Sequence, residues 1–121
     1  MDFVEDQHGF ALARTGQVTV VRPTANTLTS IMDVNRLHSG ITGVLGMGSP
    51  RLVMDLTEIS SAGSAFLGML LSLAKQVKAE GGRMAMAASP TIQQLLKISK
   101  TERLFQLTPS VEAAVWLMEQ K

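Results

Sequence analysis

Reactive side chains are sparse in this sequence, and their spacing removes most catalytic devices from consideration. The two histidines, His8 and His38, stand thirty residues apart with no His-x-x-x-His pair, and there is no cysteine. A zinc site needs three or four such ligands at short spacing, so no metal, no disulfide and no thiolate chemistry is expected. No other cofactor is expected either. The stretch Gly43-Val44-Leu45-Gly46-Met47-Gly48 contains Gly-x-Gly, but it follows a helical pattern and precedes a strand-like one. A phosphate loop requires the opposite order, strand into helix, so that helix-start amides face the anion.

Two clusters remain. Asp55 and Glu58 follow an apolar run, at the strand end where open α/β sheets place their ligands, and two carboxylates could do acid/base work there. The plainer expectation has Asp55 accepting hydrogen bonds from loop amides and Glu58 in solvent. Gly63-Ser64-Ala65 sits at a strand-loop-helix junction, yet Gly-x-Ser-x-Gly is absent and no histidine follows to activate the serine. The chain is therefore not expected to be an enzyme. Ser60, Ser61 and Ser64 lead into a helix, where serine ordinarily caps. The other role open to such a cluster is regulation at the functional edge of a sheet.

The elements that must position these residues follow from apolar periodicity. Gly9 to Arg14 and Gln17 to Arg22 read as a hairpin turned by Thr15-Gly16. Ile31, Val34, Leu37, Ile41, Val44 and Leu45 mark a helix from about Thr29, with Gly46 and Gly48 as its stop. Leu52-Val53-Met54 does not alternate and reads as a strand buried on both faces. A second helix runs from Ser64 to about Glu80, with Phe66, Leu67, Leu70, Leu73, Ala74 and Val77 inward and Gly81-Gly82 as its stop. Arg83 to Ala88 is a strand, and Ser89-Pro90 caps and opens a helix carrying Ile92, Leu95 and Leu96. Leu104 to Leu107 reads as a final strand, and Thr108-Pro109 as the opening of a last helix through Val111, Ala114, Val115 and Met118.

The order β-β-α-β-α-β-α-β-α predicts a single α/β domain over residues 1–121. Its mixed, mostly parallel sheet has about five strands and right-handed crossovers to about four helices. Residues 1–8 read as a loose lead-in. With 45% hydrophobic residues in a chain of 121, a core can form unaided. A net charge of +1, and no aromatics among the six Lys/Arg and two Glu between Lys75 and Arg103, argue against nucleic acid. That basic stretch reads as a solvated helix face. No apolar run reaches the roughly 18 residues of a membrane span. The start Met1-Asp2-Phe3-Val4-Glu5-Asp6 lacks the order of a signal peptide, so the cytoplasm is the expected setting.

Leu52-Val53-Met54-Asp55-Leu56-Thr57-Glu58-Ile59 followed by Gly63-Ser64-Ala65-Phe66-Leu67-Gly68-Met69-Leu70 resembles the centre of the STAS family, which includes bacterial anti-sigma factor antagonists. Lys78-Ala79-Glu80-Gly81-Gly82, Ser89-Pro90 and Glu102-Arg103-Leu104-Phe105 extend the resemblance over roughly residues 16–118. It implies a protein-binding switch whose partner is an anti-sigma factor that is also a histidine-kinase-like serine kinase, with a PP2C-type phosphatase resetting it. The family's phosphorylated serine matches Ser64. The implied partner-binding surface comprises Asn26, Asp55, Ser61, Gly63, Ser64, Phe66 and Met69. The chain departs from the pattern at Gly63, where relatives carry Asp, at Phe66, where they carry Gly, and at Pro23 to Thr27, where many carry acids. Two other readings remain open: a docking subunit of a transport or signalling complex that is not phosphorylated, and a small-nucleotide or anion binder at the Asp55-to-Ser64 loop.

Overall fold

A computed structural model describes residues 1–45 and 49–120. Its centre is the run of buried strand residues the sequence marks. Strand β1 (Val4–Asp6), β2 (Phe10–Thr15) and β3 (Val18–Pro23) form an antiparallel meander. β3 then pairs in parallel with the central strand β5 (Arg51–Leu56), β5 with β7 (Arg83–Ala88), and β7 with the short β8 (Leu107–Thr108). The six-stranded order is β1-β2-β3-β5-β7-β8. Among the described residues four α-helices accompany this sheet: α1 (Ile31–Val44), α2 (Ser64–Ala79), α3 (Pro90–Ile98) and α4 (Val111–Glu119). The domain is the single α/β unit expected, with one strand more in its sheet.

Alternation along β5 divides the interior. Leu52, Met54 and Leu56 point into the larger core, where they meet Leu37 and Ile41 of α1, Phe66, Leu70 and Leu73 of α2, and Ile92 and Leu96 of α3. Val53 points the other way, with Val20, Ala85 and Met118, into a thin core covered by α4. Ala85 and Ala114 have no bulk beyond Cβ, so this single helix can lie close against the sheet. Its C-terminal carbonyls are held by arginines from the sheet: Arg51 donates to Met118 O at 3.0 Å and Arg83 to Gln120 O at 2.8 Å.

The Gly81-Gly82 stop is realised as a Schellman-type end. The amide of Gly82 donates to Val77 O at 2.8 Å and that of Gly81 to Lys78 O at 3.0 Å, with Gly81 at φ +76°. Gly82 also lies so close to Pro50 that a Cβ there would collide with the proline backbone. Gly46 and Gly48, the expected stop of the first helix, lie outside the described residues.

Elsewhere the structure corrects the sequence reading. Residues 1–8 are not a loose lead-in throughout: Val4 to Asp6 pair with β2, and the guanidinium of Arg22 lies 3.9 Å over the Phe3 ring. Leu104 belongs to a 3-10 turn (Glu102–Leu104), in which the amide of Leu104 donates to Thr101 O, and pairing with β7 begins only at Leu107. The last helix is capped by Ser110, not by Thr108. Thr108 is still in the sheet opposite Ala87, and its hydroxyl donates to Ser110 O at 2.8 Å. Ile31, expected inward, is 65% exposed because it stands at the first position of α1, beyond the edge of the core.

Candidate functional site

The serine loop is held by contacts distant in sequence. A separate two-stranded parallel ladder joins β4 (Thr27–Leu28) to β6 (Ser61–Ala62), in the register Thr27↔Ser61 and Leu28↔Ala62. The carbonyl of Asn26 accepts from the amides of Ser60 (2.8 Å) and Ser61 (3.3 Å) and from the Ser60 hydroxyl (3.2 Å). The Gly63 amide donates to Leu28 O at 3.3 Å. On the other side of the loop, the buried hydroxyl of Ser89 donates to Ile59 O at 2.6 Å, and Thr91 Oγ1 donates to Ser60 O at 3.3 Å. These bonds fix the backbone from Ile59 to Gly63, so the start of α2 is presented by a braced loop.

Because β4 and β6 run parallel and each feeds a helix, α1 and α2 start side by side on one rim. The rim carries Ser64 at the first position of α2, exposed, beside Asn26, Ser61 and Gly63. It also carries Ile31 and Met32, exposed by 65% and 82%, at the first two positions of α1. Two large apolar side chains are thus left in water at one helix start.

Ser64 does not cap. The residue preceding α2 is Gly63, which offers no side-chain hydrogen bond, and the first turn holds no acid. The other three helices begin after a serine whose oxygen accepts an amide: Ser30 from Asp33, Ser89 from Ile92 and Ser110 from Ala113. Among the described residues the Ser64 hydroxyl has no protein partner, and it stands next to helix-start amides that favour an anion.

Of the other residues singled out from sequence, Phe66 and Met69 are not part of this surface. Phe66 is fully buried and Met69 is 3% exposed. They share the stripe of Leu70, Leu73 and Val77 that packs on the sheet, and that stripe cannot face a partner as well. The large apolar side chains exposed at this rim are Ile31 and Met32. The available sequence signal is weak: two apolar residues follow a cap serine, one of them off the helix's inward stripe. Asp55 lies elsewhere too. It follows Val53 in the alternation of β5 and so faces the α4 side, where its carboxylate accepts from the amide (3.2 Å) and hydroxyl (2.7 Å) of Thr57. There it borders an open cleft of about 710 Å³ with Phe3, Arg22, Glu58 and Glu112. Among the described residues no group of three or more acids and histidines is placed to hold a metal, and no helix is long and apolar enough to cross a membrane.

Solved structures share this architecture. A candidate anti-sigma factor antagonist from Thermotoga maritima superposes with a TM-score of 0.78 at 15% identity, over 95% of this chain and 100% of the other. An anti-sigma factor antagonist (STAS) domain protein from Planctomyces limnophilus gives 0.77 at 21% identity, over 89% and 97%. SpoIIAA, a Bacillus cell fate determinant, gives 0.62 in its phosphorylated form at 18% identity, over 89% and 98%. At these identities the likeness is one of fold. The family model described as the STAS domain matches residues 10–114, almost the full length, and this chain belongs to the STAS domain family.

Proposed function

We propose that this chain is an anti-sigma factor antagonist of the cytoplasm: a binding switch, not a catalyst, that docks an anti-sigma factor on the rim formed by the starts of α1 and α2. The observation that carries this reading is the contrast among helix starts, in which Ser64 alone leaves its hydroxyl exposed and uncommitted. Ser64 is the phosphorylation site in this proposal, and the partner is itself the serine kinase; a PP2C-type phosphatase reverses the step. The SpoIIAA structures, one unphosphorylated and one phosphorylated, support a fold that tolerates the modification.

The physical logic is local. A phosphoryl group adds about −1.5 to −2 charges. At the first position of α2 the domain accepts that charge, because free amides and the helix dipole point at it. The partner does not accept it so readily. A surface seated over Ile31 and Met32 would bury the charge, at a cost on the order of several kcal/mol unless a cation met it. Phosphorylation thereby releases the partner without unfolding the switch. The anion-binder reading draws less support: the cleft beside Asp55 offers one cationic side chain, Arg22, against the carboxylates of Asp55, Glu58 and Glu112.

Incubation with ATP and the cognate anti-sigma kinase, followed by intact mass measurement, tests the proposal. The expected result is a gain of one phosphate, about 80 Da, absent in Ser64→Ala. A phosphate that persists in Ser64→Ala moves the site elsewhere. No phosphate, together with undiminished partner binding by Ser64→Asp, replaces the switch with a constitutive docking subunit.

A further inference from the structure

Of the six Lys/Arg between Lys75 and Arg103, five are exposed, as a solvated face requires, and two of these stand on α2. Lys75 and Lys78 flank an apolar groove of about 480 Å³ between the outer side of α2 and the 3-10 turn, with Leu71 and Ala74 on one wall and Leu104 on the other. The groove continues along Ala74, Lys78 and Leu104 toward Met84 and Gln106 at the sheet edge. Leu104 is 63% exposed and Leu107 is 38% exposed, so apolar surface at this edge is left in water. Neither Lys75 nor Lys78 makes an ion pair among the described residues, and no carboxylate lines either part of the groove. Arg103 adds a further exposed cation on the 3-10 turn, beside Glu102.

We propose that this groove is a second docking site, distinct from the Ser64 rim, which takes an acidic amphipathic helix of a partner protein. An apolar floor between lysines matches a segment whose apolar residues recur at i, i+3 and i+4 with carboxylates on its flanks. A helix fits better than an added strand. The exposed edge strand β8 is only two residues long, and Pro109, which follows it, has no amide to donate. α2, by contrast, presents Leu71, Ala74, Lys75 and Lys78 along one side, where a second helix can lie.

The test uses the full chain, isotopically labelled, and a fluorescein-tagged synthetic peptide of about 18 residues, long enough to become helical when bound. The peptide carries Leu at every third or fourth position and Glu elsewhere, and a control of the same composition has its Leu respaced so that they fall on no single helix face. Saturable anisotropy is expected for the helical peptide, at least about tenfold tighter than for the control. Shifted amide signals at Leu71, Ala74, Lys78 and Leu104 should accompany it. The paired charge reversal Lys75→Glu with Lys78→Glu is expected to weaken binding by about tenfold or more, added salt to weaken it in the native chain, and Ser64→Asp to leave it unchanged. The two lysines are exposed, so the spectrum of the double variant reports directly that the fold is kept. Absence of saturable binding, equal affinity for the two peptides, an unchanged double variant, or shifts confined to the Ser64 rim would each overturn the proposal. So would sedimentation showing that a second copy of this chain fills the groove and is released by the charge reversal.

Discussion

Ser64 and Ser89 occupy nearly the same local position, a serine at the mouth of a helix that follows a strand, and the fold uses them in opposite ways. Ser89 is 5% exposed and makes two side-chain bonds, accepting from the Ile92 amide and donating to the Ile59 carbonyl. Ser64 is exposed and makes none among the described residues. The difference arises from a shift of one position. Ser89 precedes its helix and can reach back to the first-turn amides, whereas Ser64 is already inside the first turn, behind a glycine that cannot cap. The two are nevertheless linked. Ser89 braces the loop at Ile59, and that loop leads to β6 and the start of α2, so the committed serine helps hold the free one in display.

Substitutions can break this contrast. The largest effect is expected from Ser89→Ala, which removes a cap and leaves the Ile59 carbonyl without its donor in a buried place. A loss of about 3 kcal/mol in urea unfolding is predicted, with faster amide exchange at Ser60 and Gly63. A loss of only a few tenths would mean that the loop is held without Ser89. Ser110→Ala, which removes a cap and no buried partner, is expected to cost about 1 kcal/mol in the same measurement. Ser64→Ala should lie within about 0.5 kcal/mol of the native chain, and Ser64→Asp should be neutral or stabilising by a few tenths. A cost for Ser64→Ala as large as that for Ser110→Ala would show the hydroxyl to be structural, and the case for its regulatory use would fall with it.

Much of the fold is legible in the residues. Leu52-Val53-Met54 has no polar position to turn outward, so it must lie between two layers; Gly81-Gly82 can end a helix in a left-handed turn where other residues resist. The site is less legible. Phe66 lies next to the rim in sequence, yet a side chain two positions along a helix has rotated by about half a turn, which carries it inside. Asp55, one residue from the buried Leu56, faces the opposite side of the sheet because strand neighbours alternate. The segment from Thr101 to Phe105 has the composition of either a turn or a short strand, and its carbonyls bond locally.

From its apolar spacing and turn residues alone, the chain determines an α/β domain with a doubly covered central strand and a helix opened by Ser89. What tertiary structure decided is which serine stays free and which cations border a groove. Ser89 is committed by a carbonyl thirty positions earlier in the chain, and the lysines of α2 meet Leu104 only once β8 has docked on β7. Periodicity reports the face a residue turns to its own element. The acceptor or neighbour it meets there comes from another part of the chain, brought near only by folding.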